Sequence, residues 1–110
     1  MEIAEEVRAL IQLELGLEAT LGYFPEKTMD TYIVLTPLSE NYPLYGGNKP
    51  IVDLQQLRIS IFSKSNYGEI RKKLVNKLVF NNFTITLRHY VGYEKNTGYH
   101  NYAVDVAKDY

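Results

Sequence analysis

The sequence contains no cysteine and no tryptophan, and only two histidines. Without cysteine there are no disulfides, thiolate metal sites or cysteine nucleophiles. Long apolar runs are missing too: none approaches the ~18 residues of a membrane-spanning helix. The opening Met1-Glu2-Ile3-Ala4-Glu5-Glu6 is acidic where a secretory signal would be basic. These absences predict a protein made in a cytoplasm that stays soluble, with no membrane segment.

What is present suits one folded domain spanning residues 1–110, with 45% hydrophobic and 23% charged residues. The net charge of −1 hides an asymmetry. Residues 1–55 carry nine acidic and three basic side chains, and residues 56–110 carry four and nine. Either the halves neutralise each other inside one fold, or the acidic part of one copy meets the basic part of another.

Apolar spacing predicts a helix over 2–15, with Ile3, Val7, Leu10 and Ile11 inward, Glu2, Glu5 and Glu6 in the first turns, and Gly16 as its stop. Residues 18–24 suggest a short irregular strand ended by Phe24-Pro25. Tyr32 to Thr36 is β-branched and aromatic, a strand closed by Pro37. In 54–63, Leu57, Ile59 and Ile61 alternate with Arg58, Ser60 and Phe62, as in a half-buried strand. A second helix spans 66–79, capped by Ser65 or Asn66, with Tyr67, Ile70, Leu74 and Leu78 inward. After an Asn81-Asn82 turn, Phe83, Ile85, Leu87 and Val91 alternate with Thr84, Thr86, Arg88 and Tyr90. A hairpin loop near 94–98 leads to a last strand with Tyr102, Val104 and Val106 on one face. The expected fold is α+β: a mostly antiparallel sheet of about four to five strands with two helices packed on it.

Catalysis finds little support. If Lys95 to Gly98 form the loop, Tyr93 falls opposite His100, and His89 then lies about four strand residues, ~13 Å, from His100. That is too far to share a metal or a proton. No catalytic, cofactor or metal residues are assigned, and no enzyme activity is expected. Gly46-Gly47 lacks the lysine and helix start of a phosphate loop. The basic run Arg71, Lys72, Lys73 with Lys77 and Lys64 is either a solvated helix face or a surface for phosphates or acidic partners.

Two features point to contact surfaces. Tyrosine occurs ten times, and Tyr90, Tyr93, Tyr99 and Tyr102 gather around the last hairpin. The stretch from Pro37 to Asp53 contains three prolines and two glycines, and is expected to be an irregular loop. Leu38, Tyr42, Leu44 and Tyr45 make it too apolar for a solvated loop. Either it folds back over the core or a partner buries it.

Three stretches then combine: Ile51-Val52-Asp53-Leu54-Gln55-Gln56-Leu57-Arg58-Ile59-Ser60-Ile61-Phe62-Ser63-Lys64, Tyr67-Gly68-Glu69-Ile70, and Asn96-Thr97-Gly98-Tyr99-His100-Asn101-Tyr102-Ala103-Val104-Asp105-Val106. In this order, after an N-terminal helix, they resemble the tail-terminator (tail-completion, head–tail joining) proteins of siphophages and prophages. The resemblance covers most of the chain. It implies a structural virion protein without a cofactor, arranged as a ring of about six copies on the tail tube. Such a ring ends tube polymerisation and meets the head connector or stopper protein, while DNA passes through its lumen without sequence-specific binding. The implied location is the virion tail or neck, and the host cytoplasm during assembly. Candidate subunit or partner contacts are Leu38, Tyr42, Leu44, Tyr45, Glu5, Glu6, Arg71, Lys72, Lys73 and Lys77. A sibling reading is a head-completion or stopper protein. A reading from another class is a small nucleic-acid-binding or regulatory module that uses the basic 64–77 helix.

Overall fold

The computed structural model describes residues 2–22 and 29–110. In chain order the elements are α1 (Ile3–Glu14), β1 (Ala19–Leu21), β2 (Thr31–Gly46), β3 (Lys49–Ser63), α2 (Gly68–Phe80), β4 (Thr84–Glu94) and β5 (Tyr99–Asp109). The strands form one sheet in the order β1-β2-β3-β5-β4. β1 runs parallel to β2, and the other neighbours are antiparallel. The fold is α+β, as the sequence predicts. The expected strand over 18–24 is realised as β1; residues 23 and 24 lie outside the described part.

Both helices cover the same face of the sheet. Ile3, Val7 and Ile11 of α1 and Leu74 and Leu78 of α2 pack on Ile33, Leu35, Leu57, Ile59, Ile61, Val104 and Val106. The opposite face has its own smaller cluster of Tyr32, Val34, Phe62 and Tyr99, with Met29 beside it. Tyr32 stacks on Phe62 at 4.9 Å and meets Tyr99 edge-on at 5.0 Å. The Tyr99 hydroxyl donates to the Met29 carbonyl. Strand β3 is therefore buried on both faces at Ile61-Phe62, which simple alternation did not reveal.

The helix ends are satisfied in unlike ways. No side chain caps α1 locally. Instead the Ile3 N–H donates to Oε1 of Gln55, a buried side chain of β3, at 2.8 Å. Before α2, the Gly68 N–H donates to Asn66 Oδ1 at 2.9 Å. At the end of α2, Asn82 takes φ +68°. The Phe83 N–H then bonds the Leu78 carbonyl and the Asn82 N–H bonds the Val79 carbonyl, a Schellman closure. Phe83 and Leu78 join the main core.

Two expectations are corrected. Residues 37–53 are not an irregular loop; β2 and β3 run on through them as one antiparallel hairpin, from Pro37↔Leu57 out to Gly46↔Lys49. The turn is Gly47-Asn48, with φ of +57° and +67°, as a two-residue type I′ turn requires. The pairing shifts between Pro37 and Ser39, between Asn41 and Leu44, and at Leu44/Tyr45. Pro43 falls inside one shift, and Pro37 and Pro50 border others, so bulges and open edges absorb residues that would break a central strand. The second correction concerns β4. Register shifts at Ile85/Leu87 and Tyr90/Gly92 leave Thr86 and Val91 as extra residues. Beyond Thr86 the alternation inverts, so Leu87 and Val91 are half-exposed instead of sharing the core with Ile85.

Candidate interaction surface

The hairpin outgrows the sheet. Pairing between β3 and β5 ends at Leu54↔Asp109, with one further backbone exchange between Asp53 and Tyr110. Residues 42–52 therefore form a two-stranded arm reaching about 15 Å past its neighbours, at ~3.3 Å per residue. The molecule measures 53 × 25 × 23 Å, and the 16 residues of β2 account for the long dimension. A two-stranded ribbon has no inner layer, so its apolar side chains stay in water. On the arm, Tyr42, Leu44, Tyr45 and Ile51 are between 50% and 60% exposed, and Leu38, at a bulge of β2 beside the body of the sheet, is 42% exposed. Tyr42 and Tyr45 meet edge-to-face at 6.3 Å. At the tip, a Cβ on Gly46 would lie 2.5 Å from Ile51 Cδ1, so Ile51 occupies the space that only glycine leaves there. Of the two readings of this segment, a cover over the core is excluded: these side chains do not fold back.

The arm base is tied to the body by polar groups. Gln55 Nε2 donates to Asp53 Oδ2 at 2.8 Å while its Oε1 holds α1. The neighbouring Glu2 carboxyl raises that of Glu40 on β2 above its ordinary value, with Asp53 adding a smaller repulsion. Beside the base, on the face away from the helices, lies an open recess of about 510 Å³. Leu54 and Ala107 line it together with Gln56, Asn82, Thr84 and Thr86.

The other residues singled out by sequence fall in separate places. Glu5 is exposed on α1. Glu6 is engaged within its own chain: it accepts from Lys108 Nζ at 2.6 Å and from the Tyr110 hydroxyl at 3.2 Å. Burial first, then Glu6, pushes the Tyr110 phenol well up. On α2, Arg71 lies over the rings of Tyr67 and Tyr102 at 5.7 and 5.1 Å. Lys77 pairs with Glu14 at 3.2 Å, while Lys72 and Lys73 are exposed. Two ion pairs, Lys108–Glu6 and Lys77–Glu14, join the acidic and basic halves inside one chain, so part of the charge asymmetry is internal.

The tyrosines divide between the faces. Tyr67 stacks with Tyr90 and Tyr102 on the helix side, and Tyr90 Oη lies 2.9 Å from His100 Nδ1. Tyr99 belongs to the cluster on the other face. Tyr93 does pair with His100, as the four-residue loop predicts. His89 pairs with Ala103 instead, which places it on the sheet face opposite His100. Among the described residues no group of three or more His, Asp or Glu is arranged to hold a metal.

Three features escaped sequence reasoning. Asp105 is buried and takes a two-pronged bond from Arg58, Nε–Oδ1 at 2.9 Å and Nη2–Oδ2 at 3.0 Å. This bond holds the Arg58 guanidinium firmly charged. Leu13 of α1 and Phe80 of α2 are 82% and 84% exposed. Gln55 carried no local signal, because its partner lies 52 residues away. No protein-family model matches this sequence, and neither does any curated protein sequence.

Proposed function

We propose that this chain is a structural subunit of a phage tail, a terminator that caps the tail tube, ends its growth and joins it to the head connector. The observation that supports this reading most is the arm, a hairpin with apolar side chains and no core of its own. An element of that kind gains stability only when another molecule covers it. A ring subunit needs such contacts, because rings close through one patch meeting a different patch. In this reading the partners are further copies of the chain, the tail-tube protein and the connector or stopper, with DNA threading the lumen.

Coexpression with the tail-tube protein of the same genome tests the proposal. Electron microscopy should show tubes of limited length with a ring of this protein at one end. Tubes of unlimited length with no bound ring would reject it. Heads that package DNA and then leak when the gene is deleted, with normal tails alongside, would favour the stopper role. The nucleic-acid reading loses support because Arg71 and Lys77 are engaged within the chain.

A further inference from the structure

At the hairpin end of β4 and β5, the helix-side face of the sheet is left partly open. Register places Arg88, Tyr90 and Tyr93 of β4 on that face, opposite Val104, Tyr102 and His100 of β5. Tyr90 and Tyr93 are 45% and 53% exposed, and Arg88 is exposed beside them. The rings are held from within all the same. Tyr67, just before α2, stacks on Tyr90 at 5.9 Å, and Arg71 lies over Tyr67. Tyr90 Oη is tied to His100 Nδ1, and the His100 ring lies 4.7 Å from that of Tyr93. Aromatic area fixed in advance loses little entropy when a ligand covers it.

Charge around this strip has one sign among the described residues. Arg71 and Arg88 flank the rings, and Lys95 stands in the loop after Tyr93. The carboxylates near in sequence or across the sheet sit elsewhere. Glu94 pairs with Tyr99 on the other face, where its charge acts on the Tyr32 phenol. Asp105 is on that other face too, bound by Arg58. Glu69 lines a groove with Leu15 and Leu17, on the α1 side of α2. Asp30 precedes β2, three strands across the sheet from β4, and accepts from the Ser65 hydroxyl.

We propose that this strip binds single-stranded nucleic acid, with bases stacked on Tyr90 and Tyr93 and phosphates met by Arg88 and Lys95. Every base has a flat face and the strand is anionic, so ring faces with flanking cations suit it. An acidic peptide would use the cations and leave the ring faces empty. A duplex keeps its bases stacked on one another and offers these rings nothing. Stacking tolerates any sequence, so no base preference is expected. The inference rests on these rings and not on the tail reading.

Fluorescence anisotropy with a labelled oligothymidine of about twelve nucleotides, at about 50 mM salt, tests it. The strand should bind, and more tightly than a duplex of the same length. Tyr93→Ala should weaken binding at least about fivefold, and Tyr93→Phe, which keeps the ring, should restore most of it. Arg88→Gln should flatten the dependence of log K on log salt by about 0.7. No binding at that salt would overturn the proposal. So would binding that ignores Tyr93→Ala but disappears on reversing Lys72 and Lys73 to Glu, because the contact would then belong to α2. Competition by polyglutamate as effective as that by unlabelled oligothymidine would reduce the strip to a patch of cations and also overturn it. Oligonucleotide binding without capping of tail tubes would keep this site and reject the tail reading. Normal capping by a chain that binds no oligonucleotide would do the reverse.

Discussion

Ile3 and Gln55 lie 52 positions apart in sequence, yet the side-chain oxygen of Gln55 accepts the first backbone N–H of α1 at 2.8 Å. The amide nitrogen of Gln55 reaches Asp53 at 2.8 Å. One buried side chain thus fixes the start of a helix and the root of the arm together.

Gln55→Leu should leave that helix N–H buried without a partner and free Asp53. The expected loss is about 1–3 kcal/mol of folding stability, measured by urea denaturation. A loss below about 0.3 kcal/mol would show that water replaces the amide at no cost.

The Arg58–Asp105 pair should respond unequally to its two halves. The Asp105 side chain is only 7% exposed, whereas that of Arg58 is 38% exposed. Arg58→Met strands a buried carboxylate, while Asp105→Asn leaves an arginine that water can reach. The first change should be the more destabilising, by about 1–2 kcal/mol after allowance for the exposed side of the pair. Thermal melts of both variants at neutral pH check the order, and a reversed order would mean that the guanidinium packs more than it pairs.

The Glu40–Glu2 contact predicts a pH effect at the arm root. Glu40 has a folded pKa raised above its ordinary 4.5, first by the hydrogen bond to Glu2 and then by the charge of Glu2. The stabilisation from the shared proton is full below the ordinary value and is lost as pH rises through the raised one. Glu40→Gln keeps a donor without a charge, so it should raise Tm at pH 7, with the gain shrinking towards pH 4. A pH-independent difference would mean that the two carboxyls do not share a proton in solution.

Hydrogen exchange should separate arm from body. Amides of residues 42–52 bond only within a two-stranded ribbon, whereas those of 57–62 lie between β2 and β5. The first set should exchange rapidly in the isolated chain and slow down on assembly, and the second should be slow throughout. Unchanged exchange of the arm after assembly would remove it from any interface.

Much of this fold is legible in the residues. The helix stripes at Ile3-Val7-Ile11 and Leu74-Leu78, the β3 alternation and the Tyr93–His100 register all follow from spacing. The arm was hidden by its prolines. Gly47-Asn48 is a hairpin signal in its own right, but three prolines nearby outweigh it unless one knows where the pairing slips. The inverted parity at Leu87 has the same origin, since a bulge at Thr86 leaves no mark in a pattern of apolar residues. The apolar content of Tyr42, Leu44 and Tyr45 does single out side chains that the fold leaves exposed. The recess did not announce itself, because strand ends distant in sequence build it.

The arm is not an appendage joined by a flexible link, for β3 runs unbroken from Lys49 at the tip to Ser63 inside the sheet. Within the body that strand is hydrogen-bonded to β2 on one side and β5 on the other. A pull on the tip along the strand direction therefore loads both ladders in shear, many hydrogen bonds at once, instead of unzipping them singly. Strain applied at the arm reaches the centre of the sheet without passing through a hinge.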